Sequence, residues 1–434
     1  MEEPAKLLNR NYALLLQGQF VSRLGTSLSS LVMLLWIKEV TDSATLMGLL
    51  SMLVSIPNVL FGVIGGTVAD RFSRRKIISY CDIASGFALL ALGALFYFAP
   101  GQTRLLTIGI VVLSVSVAVL DAFSTPAITA STPELVPRAH MARANTLAQL
   151  VLQLAFLLGQ GVAGVFYRLL GAFWAAVSNG IACLYAGATE TFMVIPQKLP
   201  EGRGDLRKQI TEFRSDTVAG FRYVIGIRGL NRLVIASSIV TFFSAPLIFM
   251  IPFYVMDFLK LKEDWVGYFA AIYGIGAFVG AMTAGLMEIK STVRSRVLVS
   301  TIILESIGYG LLGVIQTPYV ASGLVLVGGV LSGFTGVYIV TIIQLTTPSE
   351  MRGRMFGFLG TIAASLAPIG VGLGGVVFDW IGKDITLLYV TCGAIMTGVN
   401  ILLSSSREFR DFLAKDTDET SPLIPQSPAH AELP

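Results

Sequence analysis

The chain is poor in the residues that soluble catalysts and secreted scaffolds depend on. Among 434 residues there are 2 His and 3 Cys. His140 and His430 are too few and too far apart in sequence to suggest a metal site. Cys81, Cys183 and Cys392 each lie inside an apolar run, where a thiol behaves as a small hydrophobe, so a disulfide-built scaffold is excluded. Charged residues make up 13%, against about 25% in an ordinary soluble domain. No Gly-x-x-x-x-Gly-Lys-Ser/Thr run is present, so ATP is not the expected drive. These absences argue against an enzyme and against a bound metal or cofactor.

What remains is apolar surface. Hydrophobic residues are 54% of the chain and the mean hydropathy is +0.74, more than a water-soluble fold can hide. A membrane-crossing helix needs about 20 mostly apolar residues. Twelve such runs are legible, near 12–37, 44–68, 77–99, 105–130, 143–168 and 171–195, then near 232–256, 264–287, 295–315, 319–345, 355–378 and 384–405. The expected fold class is therefore all-α integral membrane. The organisation reads as a six-helix bundle over 1–195, a linker over 196–231, a second six-helix bundle over 232–406 and a disordered tail over 407–434. In the linker, Leu206, Ile210, Phe213, Val218, Phe221 and Val224 recur at helical spacing among Lys and Arg, as in an amphipathic helix on a leaflet surface.

Charge predicts orientation. Lys6, Arg10, Arg71, Arg74, Arg75, Lys76, Arg138 and Arg143 share a side with the basic linker, with Arg294, Arg296, Arg352 and Arg354, and with both termini. The opposite loops hold Lys38, Arg104, Arg168, Lys260, Lys262 and Lys383. The excess of basic residues puts both termini in the cytoplasm. The halves also repeat weakly. Span four runs into TPELVPRAHMAR (Thr132 to Arg143) and span ten into TPSEMRGRMFG (Thr347 to Gly357). Each has a Thr-Pro break, then a carboxylate (Glu134, Glu350), then arginines, which fits paired bundles with a site between them.

Polar residues interrupt three spans on helical phase. Gln19, Arg23, Thr26 and Ser30 share a face of span one, with Ser22 beside it. Ser114, Asp121, Ser124 and Thr125 do so in span four, and Asn145, Gln149, Gln153 and Gln160 in span five. Such stripes are costly in lipid unless they face a wet cavity or each other. Arg23 and Asp121 are expected to pair, either as a structural bridge or with Asp121 as a protonation or substrate-cation site. Asp82, beside the basic loop, is expected to partner Arg74 or Arg75. Glu190 and Glu305 stay open between structural and functional roles. Span seven is bulky, with Phe242, Phe243, Phe249, Met250, Phe253 and Tyr254, and is bent by Pro246 and Pro252. A polar half facing an aromatic half suits an amphiphilic organic cargo.

Between spans two and three the chain reads GGTVADRFSRRK, from Gly65 to Lys76. Gly66 would allow a close helix contact, and the Asp70 carboxylate would accept from Arg71 or Arg74. Gly66-x-x-x-Asp70-Arg71-x-x-Arg74-Arg75 resembles the signature loop of the major facilitator superfamily, with Ser73 where Gly is common. The runs GQFVSRLGTSL (from Gly18), EVTDSATLMGLL (from Glu39) and IPNVLFGVIGGTVADRFSRR (from Ile56) are similar to a bacterial branch that includes macrolide-efflux proteins and the enterobactin exporter. The loop of the second half, Gly285 to Arg296, is degenerate.

The resemblance implies two pseudo-symmetric bundles that rock about a central cavity. Gly66, Asp70, Arg71, Arg74 and Arg75 would form a cytoplasmic gate, latched onto the start of span eleven near Met355 to Gly360. The cavity would be lined by Gln19, Arg23, Thr26, Asp121, Gln149, Gln153 and Gln160. The implied activity is proton-coupled antiport of lipophilic or amphiphilic small molecules out through a bacterial inner membrane; a lysophospholipid mover or a metabolite importer is the alternative. The expected partners are that small molecule and the bilayer. Nucleic acid is not expected, and the chain is expected to work as a monomer.

Overall fold

The computed structural model describes residues 7–197, 206–287 and 289–414. All its regular structure among these residues is helical. The first half holds α1 (Arg10–Thr41), α2 (Ala44–Arg71), α3 (Arg74–Phe98), α4 (Thr103–Leu135) and α5 (Met141–Glu190). The linker helix α6 (Leu206–Gly226) follows. The second half holds α7 (Arg228–Phe249), a single turn α8 (Ile251–Phe253), α9 (Asp264–Leu286), α10 (Ser291–Leu312), α11 (Pro318–Thr346), α12 (Ser349–Trp380) and α13 (Ile385–Ser404), then a short α14 (Arg407–Ala414).

Eleven of these helices are long and apolar enough to cross a membrane. One of them, over Arg143–Glu190, is 48 residues long and makes two crossings. The chain breaks at Gly171, whose φ of 76° is open to a residue without a β-carbon. Contacts with α1 show the reversal. Climbing α1 from Tyr12 to Ser27 climbs the first limb of α5, from the Ala144 carbonyl (2.8 Å from the Tyr12 hydroxyl) to that of Phe156 (3.1 Å from Ser27 Oγ). The same climb descends the second limb, from Glu190 beside Gly18 to Asn179 beside Gly25. The twelve expected spans are thus present, six on each side of the linker.

Helix starts follow local chemistry. Asn9, Ser43 and Asp384 accept the backbone N–H groups of Tyr12, Leu46 and Leu387, capping α1, α2 and α13. Pro246 and Pro252 each lack an N–H, and between them the seventh crossing changes character. It passes from α7 to the α8 turn and then a π-helical stretch over Tyr254–Phe258.

The buried core has three parts. A large one joins both halves at the face opposite the termini, from Leu31, Leu35 and Met47 to Met250, Phe253 and Phe378. Toward the terminal face the core divides. Tyr12, Leu15, Ile78 and Leu135 pack within the first half, and Leu233, Leu298, Met355 and Phe412 within the second. The halves are joined at one end and separate at the other.

Two expectations change. The tail was expected to be disordered from 407, yet 407–414 form α14, with Phe409, Phe412 and Leu413 buried and Glu408 gripped by Arg232 at 2.6 Å. Every third or fourth residue there is apolar, enough to dock one face of a short helix. Residues 415–434 lie outside the described residues. The amphipathic helix exists, but its second half packs on protein. Val224 is buried and the Phe221 ring meets that of Phe358 on α12 at 5.6 Å. The side chains of Leu206, Ile210 and Phe213 lie outside the described residues.

Candidate functional site

The polar stripes of spans one and four converge where α1, α3, α4 and the second limb of α5 meet. Arg23 Nη1 and Nη2 donate to Asp121 Oδ2 and Oδ1 at 2.9 and 2.7 Å, a parallel two-bond fork, and Nη2 also reaches Thr125 Oγ1 at 3.4 Å. Thr26 Oγ1 lies 3.4 Å from Asn179 Oδ1. One turn nearer the terminal face, Gln19 Nε2 donates to Glu190 Oε1 at 3.3 Å. Glu190 is fully buried. A small cavity of about 40 Å³ lies among Ser22, Arg23, Thr26, Asp82, Asp121 and Ser124.

Asp82 belongs to this cluster, and its expected partnership with the loop arginines is not made. Arg74 is fully engaged by Glu134 at 2.8 Å, the carbonyls of Ala130 and Ala69 at 2.7 and 3.1 Å, and Asp70 at 3.2 Å. Asp82 sits two turns along α3, within hydrogen-bond reach of Glu190.

The second site is a chamber of about 510 Å³ at the centre of the molecule. Its wall is almost wholly apolar, with Leu31, Phe156, Phe249, Phe269 and Tyr309 contributing. Two polar side chains stand out in it: Gln160, whose Nε2 donates to the Ser27 carbonyl at 3.0 Å, and the carboxylate of Glu305. Beside Glu305, Tyr273 donates to Ser332 at 3.1 Å. Glu305, whose role the sequence left open, thus lines the chamber. Gln149 and Gln153 are exposed and make no hydrogen bond of their own among those described. They stand seven and three residues before Phe156, so helical phase puts them on the face that carries Phe156 and Gln160 into the chamber.

The chamber is shut toward the face opposite the termini, and every closing contact joins the halves. Lys38 Nζ lies 2.9 Å from Asp257, Lys383 Nζ 2.5 Å from Asp42, and Arg168 Nε 2.9 Å from Asp264. Asp379, at the end of α12, accepts from Ala44 N (3.2 Å), Thr45 N (2.8 Å) and Ser43 Oγ (3.2 Å). One half therefore supplies an anion to the N-terminus of a helix in the other. Two glycine seams bring the halves together beneath these pairs. A β-carbon on Gly48 would stand 2.7 Å from the Val371 carbonyl, and one on Gly267 2.6 Å from that of Gly161.

Toward the terminal face the halves diverge. A β-carbon on Gly62 or Gly66 of α2, or on Gly353, Gly357 or Gly360 of α12, would meet open space. Gly66 was expected to make the close contact; its neighbour Gly65 makes it instead, against Ala122 and Phe123 of α4. One residue is a 100° turn of the helix, enough to swing a glycine from the α4 seam into the cleft. The residues expected to form the gate lie around the turn between α2 and α3. Asp70 is exposed, Arg71 ends α2, and Arg75 opens α3 beside Arg74. The side-chain bonds of Arg74 described above all stay within the first half, so it does not latch onto Met355–Gly360 in this conformation.

Twelve crossings in two halves, joined at one end and parted over a central chamber, leave the fold in no doubt, and the profile of the Major Facilitator Superfamily matches residues 15–371. The chain belongs to this superfamily. Proteins named for efflux are among its relatives. It is 22% identical over 399 residues to "Macrolide efflux protein A" of Streptococcus pyogenes, covering 91% of this chain and 95% of that protein. It is 27% identical over 369 residues to "Multidrug efflux pump Tap" of Mycobacterium tuberculosis, covering 81% and 84%. Among solved structures, the nucleoside transporter NupG superposes with a TM-score of 0.66 at 11% identity, over 92% of this chain and 99% of that one. A bacterial homologue of the iron transporter ferroportin in an inward-facing state superposes with 0.65 at 17%, over 92% and 99%. At such identities the structures share the fold alone.

Sequence reasoning missed the closing pairs of this superfamily member. Lys38, Lys383 and Arg168 were counted only as minority charges of the opposite loops. The signal was the acids beside them, Asp42, Asp257, Asp264 and Asp379, on the same face but on the other half.

Proposed function

We propose that this protein is a secondary active transporter that exports lipophilic or amphiphilic small molecules from the cytoplasm of a bacterium by alternating access, using a proton gradient. The observation that carries this reading is the chamber: about 510 Å³ of apolar and aromatic wall holding one carboxylate, Glu305. A wall of this kind takes up apolar bodies by excluding water from both surfaces, and sugars or inorganic ions gain little there. The single carboxylate favours a cargo with one positive charge, which it neutralises where solvent cannot. The names of the efflux relatives agree with such cargo.

The basic residues of the terminal face support a cytoplasmic side there, so the cleft described above opens inward. In the outward state the halves would part at Lys38–Asp257, Asp42–Lys383 and Arg168–Asp264, and the Asp70–Arg75 motif would meet the start of α12. Each state then trades one set of charge-assisted contacts for another, which keeps the two close in free energy.

The test is dye uptake into inverted membrane vesicles energised to an acid interior. A lipophilic cationic dye accumulates inside and is released when the proton gradient is collapsed. No accumulation, together with movement of a labelled lysophospholipid between leaflets, would favour the lipid-moving alternative instead.

A further inference from the structure

The buried carboxyls of the first half raise a question that the Arg23–Asp121 bridge does not answer. Asp121 has its negative charge matched by a two-bond fork from Arg23. Asp82 and Glu190 have no such cation. Arg74 is spent on Glu134 and Asp70, and Arg23 on Asp121. Glu190 is fully buried, one of its oxygens accepts from Gln19, and its Oε2 has no hydrogen-bond partner. Asp82 Oδ2 is likewise buried and without a partner. The two carboxyls stand within hydrogen-bond reach of each other.

Two ionised carboxylates cannot hydrogen-bond to each other, because neither has a donor. A single proton removes the difficulty: one carboxyl becomes an O–H donor, the other the acceptor. We propose that Asp82 and Glu190 together bind the proton that this transporter exchanges, as one O–H···O bond between α3 and the second limb of α5, while Asp121 stays ionised against Arg23. This rests on the proton-coupled reading above and names the groups that carry it.

The surroundings fit the task. The groups that face the pair are Gln19 and Arg23 from α1, Asp121 from α4, the Cys81 thiol of α3 and the Cys183 thiol of α5. Arg23 is the one cation among them, and it is already neutralised. The 40 Å³ cavity touches Asp82 and has room for about one water. Ser124, on its wall, has a buried hydroxyl with no partner. A proton thus passes from water in the cavity to a carboxylate oxygen, forming one O–H bond, and leaves by the reverse step; no other bond changes. The pair also sits on a close seam. Ser79 Oγ donates to the Gly187 carbonyl at 2.7 Å, and a β-carbon on Gly187 would stand 2.7 Å from Ile83 Cγ1. Loss of the proton leaves two like charges across that seam, and their repulsion separates α3 from α5. Occupancy by a proton is thereby converted into helix position.

The experiment uses the full-length protein in proteoliposomes with a lipophilic cationic dye. It compares accumulation driven by a pH gradient with dye counterflow, which needs no proton. Asp82→Asn and Glu190→Gln are expected to lose gradient-driven accumulation and keep counterflow. If both variants retain gradient-driven accumulation at the wild-type level, the proposal is overturned. If the wild-type protein performs counterflow but ignores the gradient, the proton-coupled reading itself fails, and the proposal falls with it. Should a variant not fold, infrared difference spectra of the Glu305→Gln protein decide. A protonated-carboxyl band at neutral pH supports the shared proton, and its absence overturns it.

Discussion

Lys38 of α1 holds Asp257 of the opposite half at 2.9 Å, with the Lys38 side chain only 7% exposed and its ammonium 4.9 Å above the Phe253 ring. A buried ammonium needs a counter-charge, and here that charge comes from the other bundle. The outer closure is therefore held by a bond that neither half can make alone. Asp257→Asn leaves Lys38 with Asp42 at 3.7 Å as its remaining partner. Removing one member of a partly buried pair costs about 1–3 kcal/mol. Each 1.4 kcal/mol shifts a two-state population about tenfold. Pulsed EPR between labels at Gln102 and Tyr319 is expected to show a larger population of long distances; an unchanged distribution would contradict this role.

Arg23 and Asp121 form a half-buried charge pair, so their single substitutions should not add up in the double variant. Arg23→Gln or Asp121→Asn alone leaves an unpaired, half-buried charge and costs about 1–3 kcal/mol. Arg23→Gln with Asp121→Asn restores neutrality and should unfold at a higher temperature than either single variant. The measurement is a thermal double-mutant cycle on detergent-solubilised protein. Additive effects would show that the bridge is not the relevant interaction.

Among the described residues, Glu305 is the one carboxylate on the chamber wall. A charge-assisted contact to a bound cation is worth about 1.5–3 kcal/mol. Glu305→Gln should therefore weaken transport of a cationic dye about tenfold or more and leave a neutral dye of similar size nearly unchanged. Equal losses for both dyes would mean that Glu305 shapes the chamber and does not recognise charge.

Arg74 ties α2, α3 and α4 together through Glu134, Asp70 and two carbonyls. Arg74→Ala removes all four contacts and leaves the half-buried Glu134 without a cation. A loss of about 1–3 kcal/mol follows for the first half, read as a fall in its unfolding temperature. The gate role has a separate signature: cysteines at Asp70 and Gly357 should cross-link when the outer face is open and fail to do so in the conformation described here.

Gly375 packs against Ala44 with no room for a side chain. Gly375→Val should wedge the seam between α2 and α12 and favour the outward-open state. The expected readout is increased labelling of a cysteine at Ser43 from the outside, against no change for Gly357→Val, which faces open space.

Much of this protein is legible in one dimension. Twelve apolar runs, their charge asymmetry and the repeated Thr-Pro breaks anticipate two bundles around a linker, because lipid forces each crossing to satisfy its own backbone. The polar stripes of spans one and four identified the Arg23–Asp121 pair, because a lone charge in lipid demands a partner. Partners outside such a stripe were misread. Asp82 was assigned to arginines near it in sequence, whereas Arg74 turned to Glu134 and Asp82 turned to Glu190, 108 residues away. Gly65 and Gly66 could not be told apart, since helical rotation relative to α4 is set by packing.

Hydropathy, helical phase and the distribution of Lys and Arg by themselves determined that the chain spans a membrane, in how many passes, and which helix faces are polar. Those quantities depend on each segment's exchange between water and lipid, which is a local free energy. Only the tertiary structure decided which carboxyls share a cavity, which face is shut, and that Glu305 belongs to the central chamber. Those depend on how helices from distant parts of the chain rotate and cross, and the energy that sets them is distributed over contacts that exist only once both bundles have assembled.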